Sequence, residues 1–65
     1  MPIEKLLKQL PGPAQRAIID TGVKTVEELA NMSEAEIMAL HGIGPNAMQS
    51  IRRFMAENGM GLKES

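Results

Sequence analysis

Apolar residues recur along this chain at intervals of three and four, the spacing of one face of an α-helix. The first such run extends from Ile3 to Leu10 and stops before Pro11, which cannot continue a helix. The second begins after Gly12 and ends near Gly22, a residue type that commonly follows a helix C-terminus. These two runs predict the first two helices.

Two short polar patterns predict where the third and fourth helices begin. Thr25 is followed three positions later by Glu28, and Ser33 by Glu36. Both pairs fit the capping box, in which each side chain accepts a hydrogen bond from a backbone N–H of the other residue. The third helix is therefore predicted to begin after Thr25 and the fourth after Ser33.

A fifth, longer amphipathic run begins at Pro45 and ends around Asn58 and Gly59. Met60 and Leu62 beyond it are predicted to fold back onto the core. No alternation of apolar and polar residues bounded by hairpin turns occurs, so the sequence predicts an all-α fold. The residues predicted to face the core from the fourth and fifth helices include Met38, Ala47, Met48, Ile51, Phe54 and Met55.

The two halves of the chain align without a gap when one is shifted by thirty residues, although helical spacing alone produces some such matches. The aligned pairs are Leu7 with Ile37, Leu10 with Leu40, Gly12 with Gly42, and Ala17 with Ala47. Each half is predicted to be a helix, a tight hairpin and a second helix. The predicted divisions are a first repeat at about 3–22, a connecting helix at about 25–32, a second repeat at about 33–58 and a tail at 59–65.

Length and composition limit what this fold can do. With 65 residues and no cysteine, the chain forms one domain with a small core, and it has neither a disulfide framework nor a thiolate zinc site. The formal charge is −1, so any binding to nucleic acid must depend on local features. Because the chain has no long apolar run and no signal peptide, it is predicted to be cytoplasmic and to have no membrane span.

The stretch LHGIGPNAMQSI, residues 40–51, has a hydrophobic residue, then glycine, hydrophobic, glycine, and an alanine three positions later. Gly42, Ile43, Gly44 and Ala47 supply this pattern, which resembles the helix-hairpin-helix motif. Over about residues 9–62 the order of elements also resembles the C-terminal domain of the bacterial RNA polymerase alpha subunit. The resemblance implies a compact five-helix, SAM-like domain of two such motifs joined by a connecting helix, and a role in transcription.

The resemblance also implies contact between the hairpins and the DNA backbone across the minor groove. Exposed N–H groups at a helix start favour a phosphate, and glycine lets the backbone approach closely. Pro45 contributes no donor. Ile43 is in addition predicted to point inward and hold the shape of the hairpin. The backbone donors predicted for DNA binding belong to Gly42, Ile43, Gly44, Asn46 and Ala47.

The first hairpin has fewer donors, because Pro11 and Pro13 each lack an N–H group. The resemblance places an arginine at the position of Pro13, an asparagine at Arg16, a lysine at Asn46 and a serine at Ala47. The chain therefore departs from the family's basic contacts. Side chains predicted to complete the DNA-binding surface are those of Arg16, Asn46, Ser50 and Arg53.

So few basic residues predict weak binding. Neutralising about two or three phosphates gives a dissociation constant on the order of 10⁻⁴ M and a shallow dependence on salt. The predicted partner is double-stranded DNA, bound non-specifically, within an oligomer, a larger assembly or a longer protein. The alternative is a protein-interaction module that keeps the fold and uses acidic residues of the third and fourth helices, since fold alone does not decide function. These residues are Glu27, Glu28, Glu34 and Glu36.

Other side chains do not form a catalytic arrangement. The single histidine, His41, lies in a hairpin, where it is either a plain exposed residue or a pH-dependent phosphate contact. The carboxylates are spread over helix surfaces, so we expect no enzyme activity, no small-molecule substrate, no cofactor and no metal site. Ile19 falls on the polar side of the second helix and is a candidate contact residue.

Overall fold

Five short helices follow one another in the computed structural model, which describes residues 1–64. No β-strand occurs in this range; two isolated bridges join Pro2 to Thr25 and Ser33 to Lys63. The predicted all-α fold with five helices is confirmed. The helices are α1 (Glu4–Leu7), α2 (Gly12–Asp20), α3 (Val26–Leu29), α4 (Glu34–Met38) and α5 (Pro45–Glu57).

The starts of α3 and α4 are both fixed by complete capping boxes, as predicted. The Thr25 hydroxyl accepts from the Glu28 N–H at 3.1 Å, and the Glu28 carboxylate accepts from the Thr25 N–H at 3.1 Å. Ser33 and Glu36 make the same exchange at 3.1 Å and 2.9 Å. These bonds satisfy N–H groups that a helix start leaves without a partner, so two very short helices acquire defined beginnings.

The core is one cluster that draws apolar residues from every helix and from the second hairpin, within overall dimensions of 25 × 24 × 21 Å. Ile43 is buried in it, which confirms that this residue points inward. Met60 and Leu62 pack against its edge, also as predicted. The largest fully buried side chains are Leu6, Ile18, Val26, Leu29, Ile37, Met48 and Ile51.

The first helix is shorter than the apolar spacing predicts. It ends at Leu7, and the chain continues as a tight turn in which the N–H groups of Gln9 and Leu10 donate to the carbonyls of Leu6 and Leu7. Bonds to the third preceding residue commonly tighten the last turn of a helix. Leu10 remains buried because the turn keeps it on the core side.

The prediction that Met38 fills the core is wrong, because its side chain is 39% exposed. The helix α4 has only five residues, and Ile37 is its one buried residue. Adjacent residues point about 100° apart around a helix, so Met38 is turned toward solvent when Ile37 points to the core.

The two hairpins differ in conformation although their sequences align. Gly42 has a φ of +105° and lies in the turn before α5, whereas Gly12 is already the first residue of α2. Pro11 is the N-cap of α2 and Pro13 lies in its first turn, where the fixed φ of proline suits a helix start. As a result α2 begins directly after Pro11, while α5 begins only at Pro45, later in the repeat.

Candidate nucleic-acid interface

The two hairpins lie against each other through Gly42. A Cβ atom on this residue would lie 2.7 Å from the carbonyl oxygen of Pro13 and 3.6 Å from the Cβ of Ala17. The backbone of the second hairpin therefore approaches the first turn of α2 more closely than any side chain would allow. This contact places the N-terminal ends of α2 and α5 on neighbouring parts of the surface.

These two N-terminal ends have no side-chain cap, unlike those of α3 and α4. Their N-cap residues are Pro11 and Gly44, whose side chains cannot accept a hydrogen bond from the first turn. The start of α1 has no side-chain cap either, but α1 precedes the first hairpin, whereas α2 and α5 directly follow the two hairpins. An open helix start keeps N–H groups and positive dipole charge that can hold an anion.

The backbone donors predicted in the second hairpin are not all available. The N–H of Ile43 donates to the carbonyl of Leu40 at 3.3 Å, so the structure corrects the prediction that it can serve a ligand. The turn that buries the Ile43 side chain also uses its N–H. The predicted donors that make no hydrogen bond to another residue within 1–64 are the N–H groups of Gly42, Gly44, Asn46 and Ala47.

The surface at Gly44 is open. This residue has φ −101° and ψ 178°, which is extended backbone that any residue can adopt. Apart from Gly44 and its two chain neighbours, no heavy atom lies within 4 Å of the position that a Cβ would take there. Neither backbone strain nor packing within the domain therefore requires glycine at this position, which lies directly before the uncapped N–H groups of α5.

The structure brings one predicted basic side chain to the hairpins and leaves another further away. Arg16 is exposed, and its Nη2 lies 3.9 Å from the Cβ position of Gly12, so the guanidinium folds back over the first turn of α2. Arg53 is exposed two turns along α5 from Asn46, about 10 Å away at 1.5 Å per residue. Of these two basic groups, the guanidinium of Arg16 is therefore the one nearer to the hairpins.

The remaining predicted residues contribute less through their side chains. Asn46 is exposed at the start of α5, and Ser50 is half-buried one turn later. Ala47 is buried, so only its N–H can reach a ligand. His41 is exposed in the turn next to Gly42. Of the predicted set, the hairpin N–H groups, Arg16 and Asn46 lie together around the first turns of the two open helices.

The four acidic residues of α3 and α4 all have partners within the domain. Glu28 and Glu36 complete the two capping boxes. Glu27 lies 2.8 Å from the N-terminal ammonium, whose hydrogen bond holds the pKa of this carboxyl below its ordinary value. Glu34 lies 2.8 Å from a guanidinium nitrogen of Arg52, a pairing between α4 and α5 that sequence reasoning missed. Both ion pairs are exposed, so each contributes little to stability.

Two other kinds of site find no support in the part of the chain described. No group of three or more His, Asp or Glu side chains within residues 1–64 is placed to hold a metal ion. No helix in this range could serve as a membrane span, since even α5 has 13 residues and a crossing needs roughly 20.

The family described as the SAM-like helix-hairpin-helix tandem matches residues 14–57, more than half of the chain. The chain belongs to this family. The matched range of this tandem helix-hairpin-helix domain includes the second hairpin and α5, but it begins after Pro13 and so leaves out the two prolines of the first hairpin.

The domain is also similar to part of a much larger curated protein. It is 34% identical over 44 residues to the DNA-directed RNA polymerase subunit alpha of Alkaliphilus oremlandii (strain OhILAs). The match covers 68% of this chain and 14% of that protein, so the tandem helix-hairpin-helix domain spans only a small part of its relative. No solved structure matches the chain significantly.

Proposed function

We propose that this domain is a non-enzymatic module that binds the phosphate backbone of double-stranded DNA without sequence preference. The observation that carries the proposal is the pair of uncapped helix starts, α2 and α5, whose hairpins meet where Gly42 lies against Pro13. Helix-hairpin-helix domains typically bind nucleic acids, which supports the same reading.

The second hairpin supplies the main contact in this proposal. A phosphate oxygen at the start of α5 accepts hydrogen bonds from the N–H groups of Asn46 and Ala47, while the helix dipole adds roughly half a positive charge. Glycine at position 44 leaves room for the phosphate, a role that fits a residue whose own backbone does not require glycine. The N–H of Gly42 is a further donor on the same turn.

Basic side chains reinforce this contact only modestly. Arg16 reaches the phosphate backbone beside the first hairpin, and Asn46, Ser50 and Arg53 extend the surface along α5. With about two or three phosphates neutralised, the dissociation constant is on the order of 10⁻⁴ M, and its logarithm changes with log salt with a slope of about 2 to 3. Such weak binding suits a domain that a larger intracellular assembly holds close to DNA, where the effective concentration is high.

The acidic surface is a poorer candidate for the domain's function. Its four carboxylates take part in capping boxes or ion pairs within the domain. A basic partner would have to compete with these internal contacts, so we do not advance this alternative.

A titration of isotope-labelled protein with a short DNA duplex at low salt tests the proposal. The backbone amide resonances of Gly42, Gly44, Asn46 and Ala47 are expected to shift together, and the shifts are expected to diminish as salt is raised. If these amides do not move at millimolar duplex, the DNA-binding proposal is wrong.

A charge placed at Gly44 separates binding from folding. Aspartate is a favoured N-cap, so Gly44→Asp keeps α5 intact while its carboxylate occupies the N–H groups and repels phosphate. The matched control is Gly61→Asp, which adds the same charge in open space beyond the other end of α5. Gly44→Asp is expected to abolish the shifts and Gly61→Asp to retain them; equal binding by the two variants would contradict the proposal.

A further inference from the structure

A groove of about 390 Å³ lies between α1 and the segment that ends α2, away from the start of α2. Its apolar lining includes Leu7, Ile19 and Val23, and its charged lining is Glu4 and Lys24. Ile19 is seven residues from Gly12 along α2, about 10 Å at 1.5 Å per residue. The groove therefore lies toward the opposite end of this helix from the hairpins.

Ile19 gives this groove an unpartnered apolar side chain at its edge. It is 55% exposed, the largest exposure of any large hydrophobic residue within residues 1–64. A single exposed isoleucine is ordinary on a protein surface. Here, however, it lines a concave surface together with the half-buried Val23 and the buried Leu7. An isoleucine beside an apolar groove can enter the matching groove of another molecule.

The charges around the groove indicate what that molecule is. The ion pairs found among residues 1–64 use the N-terminal ammonium with Glu27, and Arg52 with Glu34, so neither Glu4 nor Lys24 is neutralised internally. One acidic and one basic side chain thus flank the same groove. A partner of uniform charge would attract one of them and repel the other.

We propose that the groove binds a second copy of this domain around a two-fold axis. In such an interface the contact from one copy is repeated from the other, so Glu4 faces the partner's Lys24 while Lys24 faces the partner's Glu4. The side chain of Ile19 enters the groove of the other copy. A formal charge of −1 gives little long-range repulsion between copies.

This self-association goes beyond DNA binding and leaves the hairpins uncovered. The dimer presents two separate hairpin surfaces, so two weak phosphate contacts can act together on one duplex. Because the groove is small, the interface falls in the weak, transient class that buries less than about 1,200 Å². Association is accordingly expected at concentrations of roughly 0.1 to 1 mM.

Sedimentation velocity of the 65-residue chain over this concentration range tests the proposal. The mean mass of the unmodified protein is expected to rise toward twice that of one chain. Ile19→Lys is expected to lower the association constant about tenfold or more, because it removes an apolar anchor. Met38→Lys, which places the same charge on another exposed apolar residue, is the matched control and is expected to associate normally.

Charge reversal distinguishes a two-fold interface from other contacts. Glu4→Lys and Lys24→Glu each place like charges opposite one another and are expected to weaken association, whereas the double variant restores both pairs and recovers it. Circular dichroism verifies that each variant is folded. A protein that stays monomeric to 1 mM, as it would if the groove served an unrelated partner, overturns the proposal. The proposal is also overturned if Ile19→Lys and Met38→Lys associate equally, or if the double variant associates no more strongly than the two single variants.

Discussion

Replacement of Gly42 by alanine tests whether the contact between the two hairpins is essential to the fold. The substitution has two separate costs in this structure. At a φ of +105° an L-residue is strained, and its Cβ would lie 2.7 Å from the carbonyl oxygen of Pro13. The atom that it meets belongs to the backbone of α2, so the conflict cannot be relieved by rotating a side chain.

The two costs have magnitudes that can be compared with the stability of the whole domain. An unfavourable backbone conformation costs about 1–3 kcal/mol, and forcing extra volume into a packed contact costs a further ~1–3 kcal/mol. A chain of this length has a free energy of unfolding of about 3–10 kcal/mol. The variant Gly42→Ala is therefore expected to lose roughly 2–6 kcal/mol, a large part of the total.

Urea denaturation followed by far-UV circular dichroism measures this loss, and two other glycines provide controls. Gly22 has a φ of +85° but open space around its Cβ position, so Gly22→Ala has only the conformational cost. Gly61 has neither feature, and Gly61→Ala is expected to be nearly neutral. The expected order of loss is Gly42→Ala, then Gly22→Ala, then Gly61→Ala. If Gly42→Ala loses no more than Gly22→Ala, the close contact between hairpins is not a fixed feature of the fold.

Three further predictions concern charge and packing. The backbone N–H and hydroxyl of Ser33 hold the pKa of Glu36 below its ordinary value, so this carboxylate stabilises the fold at neutral pH. That stabilisation is lost as pH falls through the lowered pKa. In urea denaturation from neutral to acidic pH, the free energy of unfolding of Ser33→Ala is therefore expected to fall less than that of the unmodified protein. Arg16→Gln is expected to reduce the salt slope of DNA binding by about 0.9, measured by fluorescence anisotropy; an unchanged slope would exclude a phosphate contact. Met48→Ala is expected to lose about 2–5 kcal/mol in unfolding free energy and Met38→Ala less than about 0.5 kcal/mol, because only the first residue is buried.

The sequence alone determined the fold class and the residues at which α3, α4 and α5 begin, but not where α1 and α3 end. The capping boxes at Thr25 and Ser33 were predictable because each exchanges hydrogen bonds with a residue three positions away. The glycine and isoleucine pattern at 42–44 likewise indicated a hairpin whose hydrophobic residue points inward. These signals are local, so they do not depend on how the rest of the chain packs.

The tertiary structure decided how the two halves meet and which groups remain available. The sequence aligned Gly12 with Gly42, yet only Gly42 has a positive φ and lies against the other hairpin. The use of the Ile43 N–H by Leu40 depends on the exact path of the turn, which residue types alone do not specify. The exposure of Met38 depends on which neighbour α4 buries.

In the candidate site, too, local sequence determined some features and the tertiary structure determined the others. Local sequence was enough to indicate the hairpin and its N–H groups, because glycine, proline and a helix start follow one another directly. It could not show that Gly42 lies against the first turn of α2, or that Glu34 pairs with Arg52. Those contacts join residues far apart in the chain, and the common core that brings them together is a property of the whole fold.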